Sequence, residues 1–101
     1  MRRVKYLRQA EQDLFDIFDY IATESGQVRI AAAFTEALVD RCDSLAFLPG
    51  KLGHPRDDLA PGLRSLSHKT YLIFFQYVED VIEIVTIIHG MRDIDAMLSD
   101  D

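Results

Sequence analysis

Apolar and polar residues alternate with period two from Arg3 to Leu7, with Val4 and Tyr6 on one side, which predicts a short strand with one half-buried face. From Gln9 to Glu24 the spacing changes. Ala10, Leu14, Ile17, Phe18 and Ile21 recur at i, i+3, i+4 and i+7, and Asp13, Asp16 and Asp19 fall outside that stripe, so this segment reads as an amphipathic helix. Ser25-Gly26 supplies its stop, because glycine accepts the left-handed conformation that closes many helices. A second helix follows from about Gln27 to Phe47, with Ile30, Phe34, Leu38, Cys42 and Leu45 on one stripe and Arg29, Glu36, Asp40 and Asp43 away from it. The short link forces the two into an antiparallel hairpin.

Pro49-Gly50 ends the second helix, and the stretch from Leu48 to Gly62, with Pro55 and Pro61, reads as a long loop of the kind that often carries function. Beyond it the pattern is that of strands: Leu63 to His68 alternates, Tyr71 to Val78 is aromatic and β-branched, and Val81 to His89 is dominated by Val and Ile. Glu79-Asp80 makes the intervening turn and, lacking the favoured Asn-Gly chemistry, leaves a longer loop open. Arg92 to Leu98 is read as a terminal helical turn. The expected fold is α+β, order β-α-α-β-β-β, with the helical hairpin packed on one face of a small antiparallel sheet. A two-residue turn at Glu79-Asp80 would put Phe75, Ile73, Ile82, Ile84 and Thr86 on the face that meets the helices. Leu72, Phe74, Val85 and Ile87 would then share the other face with Gln76, Glu83 and His89. No helix is left to cover it, and an uncovered apolar patch marks a partner site.

Length and composition set the class. The 101 residues, 49% hydrophobic and 28% charged, suit one globular domain over residues 1–101 with a single core. A lone Cys42 cannot form an internal disulfide, which fits a reducing compartment. The basic start, Met1 to Arg8, has no apolar stretch behind it, and the run from Val81 to Ile88 is broken by Glu83 and too short to span a membrane, so a soluble cytoplasmic protein is expected. The formal net charge of -6 argues against broad affinity for nucleic acid, so direct nucleic-acid binding is not expected. Residues 51 to 92 balance five acidic and five basic side chains and hold all three histidines, which makes them the place to seek a positive patch.

Several side chains there are candidates for contact with a partner. Arg64, after Pro61-Gly62, could hold a partner carboxylate in a bidentate pair or could pin the loop through Asp57 or Asp58. His89 and Arg92, three residues apart at the end of the last strand, could share a contact, or His89 could cap a carbonyl while Arg92 pairs with Asp93 or Asp95. Arg56 completes this set of candidate target contacts. His54 and His68 lack partners at metal-ligand spacing, so neither a metal nor a cofactor is expected. Cys42 on the apolar stripe reads as a small hydrophobe without chemistry.

Taken in order, Pro49-Gly50-Lys51-Leu52-Gly53-His54-Pro55-Arg56-Asp57-Asp58-Leu59, Pro61-Gly62-Leu63-Arg64, Tyr71-Leu72-Ile73-Phe74-Phe75, and Val81-Ile82-Glu83-Ile84 leading to His89-Gly90-Met91-Arg92-Asp93 resemble the ParE branch of the RelE/ParE toxin superfamily. The Asp13-Leu14 to Tyr20-Ile21 and Ala32-Ala33-Phe34 segments are similar to that family's hairpin. The resemblance implies the toxin of a type II toxin–antitoxin pair, silenced by a cognate ParD-like antitoxin and directed at DNA gyrase. It implies no enzymatic activity. Acidity separates this reading from the RelE branch, whose members cut mRNA on the ribosome and would be expected to be basic. Lys51, Arg56, Arg64, His89 and Arg92 could form part of a nuclease cluster. The sequence Met91-Arg92-Asp93-Ile94-Asp95, however, lacks the basic strand and aromatic hydroxyl which that chemistry wants. A ribosome-dependent endoribonuclease is therefore the alternative, and an inactive antitoxin-binding family member the third reading. The antitoxin, folding on contact, is expected on the hairpin and on Leu72, Phe74, Val85 and Ile87.

Overall fold

The computed structural model describes residues 2–90. Arg3–Tyr6 forms strand β1, Arg8–Ser25 helix α1 and Val28–Asp43 helix α2, which runs into a short 3-10 helix over Ser44–Phe47. A two-residue strand β2 (His54–Pro55) precedes β3 (Arg64–His68), β4 (Tyr71–Val78) and β5 (Val81–His89). The order of strand, two helices and three strands is the expected one, with β2 added from within the segment read as loop. Gly26 closes α1 in the left-handed region, φ 71°, its N–H donating to the Ala22 carbonyl at 2.9 Å. The terminal turn read over Arg92 to Leu98 lies outside the described residues.

The strands form one sheet in the order β1-β5-β4-β3-β2. Strands β2 to β5 pair antiparallel, but β1 lies parallel to β5, with Arg3 opposite Val81 and Tyr6 opposite Ile84, so the sheet is mixed. Both hairpin turns have two residues, Lys69-Thr70 and Glu79-Asp80, and the first residue of each has positive φ, 57° and 56°. That geometry costs a non-glycine residue about 1 kcal/mol, which the long β4–β5 ladder can offset. The hairpin packs α1 across β5 and α2, and the core between layers holds Ala10, Ile17, Leu38, Cys42, Leu45, Ile73, Phe75, Ile82 and Ile84. Ile30, expected on the buried stripe of α2, is exposed, and Ala31 is buried in its stead.

A β-bulge changes which residues face the helices. Phe74 sits opposite Thr86 and Phe75 opposite Ile84, leaving Val85 as the extra residue of β5. The alternation counted from the Glu79-Asp80 turn therefore slips by one beyond it. Ile87 moves to the helix side, buried opposite Ile73 in the core, and His89 follows it opposite Tyr71. Asp13, outside the apolar stripe of α1, is the acceptor that the bulge needs: its Oδ2 takes the Ile87 N–H at 2.9 Å and the Thr86 hydroxyl.

The face away from the helices is also less open than expected. Phe74 is fully buried, with the Arg56 guanidinium 5.7 Å from its ring centroid, and Ser65 opposite it is buried too. Of the four residues expected to meet an antitoxin there, Ile87 belongs to the core and Phe74 is covered, while Leu72 and Val85 are half-buried. The expectation of an uncovered patch fails at Ile87 because of the bulge and at Phe74 because Arg56 reaches back over the sheet.

Candidate functional site

A groove of about 880 Å³ runs between α1 and α2. Its apolar lining comes from Leu14, Phe15, Phe18 and Val39, with Tyr6 of β1, and Glu11, Asp19, Glu36 and Asp40 add four carboxylates with no basic residue. Phe15 is 70% exposed although it sits on a regular helix. It follows Leu14 directly and lies one turn before Phe18, so the apolar arc of α1 is wider than the core-facing stripe requires. That excess width is the signal in the sequence for the groove, and it lies outside the single buried face that the helical spacing picks out. Tyr6 is fixed by its hydroxyl, which donates to Asp43 Oδ1 at 2.7 Å and lies 3.4 Å from the Val39 carbonyl oxygen. Burial, then the hydrogen bond to Asp43, pushes that hydroxyl's pKa well above its ordinary value, so it stays a donor at physiological pH.

A second feature lies where α2 ends. The chain leaves the 3-10 helix through residues 48–53, and three polar side chains from elsewhere in the fold tie this loop down. Arg2 Nη1 donates to the Gly50 carbonyl at 2.8 Å, with its guanidinium 4.7 Å from the Tyr77 ring centroid; the Leu52 N–H donates to the Tyr77 hydroxyl at 3.0 Å. Arg64 donates through Nε to the Leu52 carbonyl at 2.6 Å and through Nη2 to that of Gly53 at 3.1 Å. Gly53 has φ 77°, and a Cβ placed there would stand 2.6 Å from the Ser65 carbonyl oxygen and 2.9 Å from the Phe75 ring, so only glycine fits.

The candidate target contacts do not converge. Arg64 lies on the helix side opposite Phe75, and its partners are carbonyls rather than Asp57 or Asp58. Asp58 instead pairs with Arg56 at 3.2 Å, which holds its carboxyl below the ordinary carboxylate range, and Asp57 accepts the Gly62 N–H at 2.9 Å. Arg56 lies over Phe74, on the opposite face from Arg64. His89 is at the far end of β4, opposite Tyr71, about 13 Å along the strand from the position opposite Phe75. There it stacks edge-on against Tyr71 at 5.4 Å, and Tyr71 meets Phe34, which also meets His68 at 5.9 Å. Arg92 lies outside the described residues.

The His68 Nε2 is buried with no hydrogen-bond partner among the described residues. Desolvation first, then the nearby Lys69 and Arg41, lower its pKa and favour the neutral ring. Cys42 is fully buried, and burial pushes its thiol up to about 12, which leaves it without nucleophilic character at neutral pH. Among the described residues no group of three or more His, Cys, Asp or Glu side chains could hold a metal ion, and no helix is long and apolar enough to cross a membrane.

Comparison with known proteins places these features in a lineage. Residues 4–94 match the family model described as the ParE toxin of the type II toxin–antitoxin system parDE. Toxin ParE3 of Caulobacter vibrioides is 30% identical over 98 residues, covering 97% of this chain and 96% of that protein. Among solved structures, the chromosomal ParDE toxin–antitoxin system from P. aeruginosa has a similar fold, with a TM-score of 0.75 over 88% of this chain and 96% of that one at 24% identity.

Proposed function

We propose that this chain, which belongs to the ParE toxins of type II toxin–antitoxin systems, acts in the cytoplasm as a non-enzymatic inhibitor of DNA gyrase and is silenced by a ParD-like antitoxin seated in the hairpin groove. The observation that carries the antitoxin placement is the groove itself: an apolar floor with Phe15 exposed, bordered by four carboxylates. An amphipathic segment that folds on contact, apolar on one side and basic at its margins, has the complementary chemistry. Leu72 and Val85 remain candidate contacts for the part of the antitoxin that extends over the sheet.

Two features support gyrase over mRNA as the target. An mRNA endonuclease must approach dense phosphate, whereas this chain carries a net charge of -6. Its candidate general acids and charge stabilisers are also dispersed, since Arg56 and Arg64 occupy opposite faces and each guanidinium already has partners. A nuclease needs such groups gathered at one scissile phosphate.

Purified protein incubated with gyrase, ATP and relaxed plasmid, beside a translation extract with mapped mRNA ends, tests the reading. Blocked supercoiling with intact mRNA is expected. Unimpaired supercoiling with codon-phased mRNA cuts would move the chain to the alternative, a ribosome-dependent endoribonuclease.

A further inference from the structure

The tethered loop carries an apolar pair that stays exposed among the described residues. Phe47 is 71% exposed and Leu48 42% exposed, side by side at the end of the 3-10 helix, although Leu45 two residues earlier is fully buried. An exposed phenylalanine forgoes the favourable burial of a large apolar side chain. Here it is held on rigid backbone, between the buried Leu45 and the carbonyls of Gly50, Leu52 and Gly53 that Arg2 and Arg64 fix. A large aromatic presented by pre-ordered backbone is the form that binding hot spots take, because little ordering entropy remains to be lost on contact.

The charge beside this pair is the reverse of that in the groove. Arg2, Lys51 and Arg64 gather around Tyr77 and the loop, and among the described residues none of the three is ion-paired. Asp57 shares the small hollow between Lys51 and Arg64, with one oxygen taken by the Gly62 N–H. A basic partner suited to the groove would be repelled here, so the two surfaces call for different occupants.

We propose that Phe47, Leu48 and Lys51, backed by Arg2 and Arg64, form a second protein-docking surface whose partner is an acidic protein face with an apolar pocket for Phe47. Nucleic acid is the poorer fit: both guanidiniums already donate to loop carbonyls, which leaves Lys51 as the one cation with no hydrogen bond in the loop, and phosphate offers nothing to Phe47 or Leu48. The surface is distinct from the antitoxin groove, and its assay rests on the toxin reading given above.

The test uses the full chain with Phe47→Ser, Lys51→Glu and the double variant, each checked for folding by circular dichroism. Three readouts are taken: binding to immobilised gyrase, growth inhibition on expression, and retention of a DNA duplex. The expected result is at least a tenfold loss of gyrase binding and of toxicity in the double variant, partial loss in each single variant, and recovery in Phe47→Leu. Full toxicity in a folded double variant would overturn the surface. If gyrase fails to bind even the wild type while the double variant loses toxicity, the surface stands and gyrase is replaced as its partner. Duplex retention that disappears with Lys51→Glu, together with toxicity, would overturn the protein partner in favour of nucleic acid.

Discussion

The hairpin groove and the tethered loop both expose a phenylalanine, but they are built in opposite ways. Phe15 in the groove stands on a regular helix whose backbone satisfies itself, and the groove is lined by side chains of two packed helices and of Tyr6. Phe47 stands where regular structure stops, and the loop after it is ordered by hydrogen bonds from residues 11 to 48 positions away in the chain. Irregular backbone has carbonyls and N–H groups that must find partners, so a rigid loop needs such ties and a helix does not. The groove should therefore tolerate substitution with little loss of stability and large loss of binding. In the loop, stability and function are coupled through the tethers.

Breaking the loop gives the largest effect. Gly53→Ala is expected to destabilise the protein by about 3 kcal/mol, since it combines a left-handed backbone with a contact to backbone oxygen that cannot yield; urea unfolding measures it. Arg64→Ala should cost about 2 kcal/mol in the same experiment, because two part-buried carbonyls lose a charged donor. Arg56→Ala, which removes an exposed ion pair and a contact with Phe74, should cost under about 1 kcal/mol. A reversed order for the two arginines would remove the contrast between tether and surface pair.

On the groove side, Glu36→Lys should leave stability within about 0.5 kcal/mol and weaken antitoxin binding severalfold, more at low than at high salt, as calorimetry would read. The smallest effect concerns His68. Its folded pKa lies below the unfolded one, so its contribution is present above about 6.5 and is lost as pH falls through the folded value. His68→Gln should flatten the fall in stability on the acid side of neutrality, and an unchanged pH profile would assign that slope to other groups.

Much of this architecture was legible in the sequence because it rests on periodicity. The helix faces and the three-strand meander follow from spacing, and the stop at Gly26 from its backbone freedom. What escaped depends on contacts distant in sequence. Nothing in Arg3–Tyr6 says that it will lie parallel to β5, since either edge of a sheet would accept a four-residue strand. The bulge at Val85 sits inside a run of Val, Ile and Thr that reads equally well in either phase, so Ile87 and His89 were assigned to the wrong face. Asp13 falls outside the apolar stripe of α1, and its partner, the Ile87 N–H freed by that bulge, is 74 residues away. Neither the direction of Arg64 nor its contacts follow from spacing, because its carbonyl partners belong to a loop with no periodicity to read.

Whether the toxin is silenced at the hairpin groove is decided by Phe15→Asp. The toxin variant is expressed with its cognate antitoxin, and growth is compared with the wild-type pair. Phe15→Asp is expected to fold, stay toxic and escape neutralisation, because a carboxylate then occupies the apolar floor of an already acidic groove. Neutralisation of Phe15→Asp as complete as that of the wild type would contradict it.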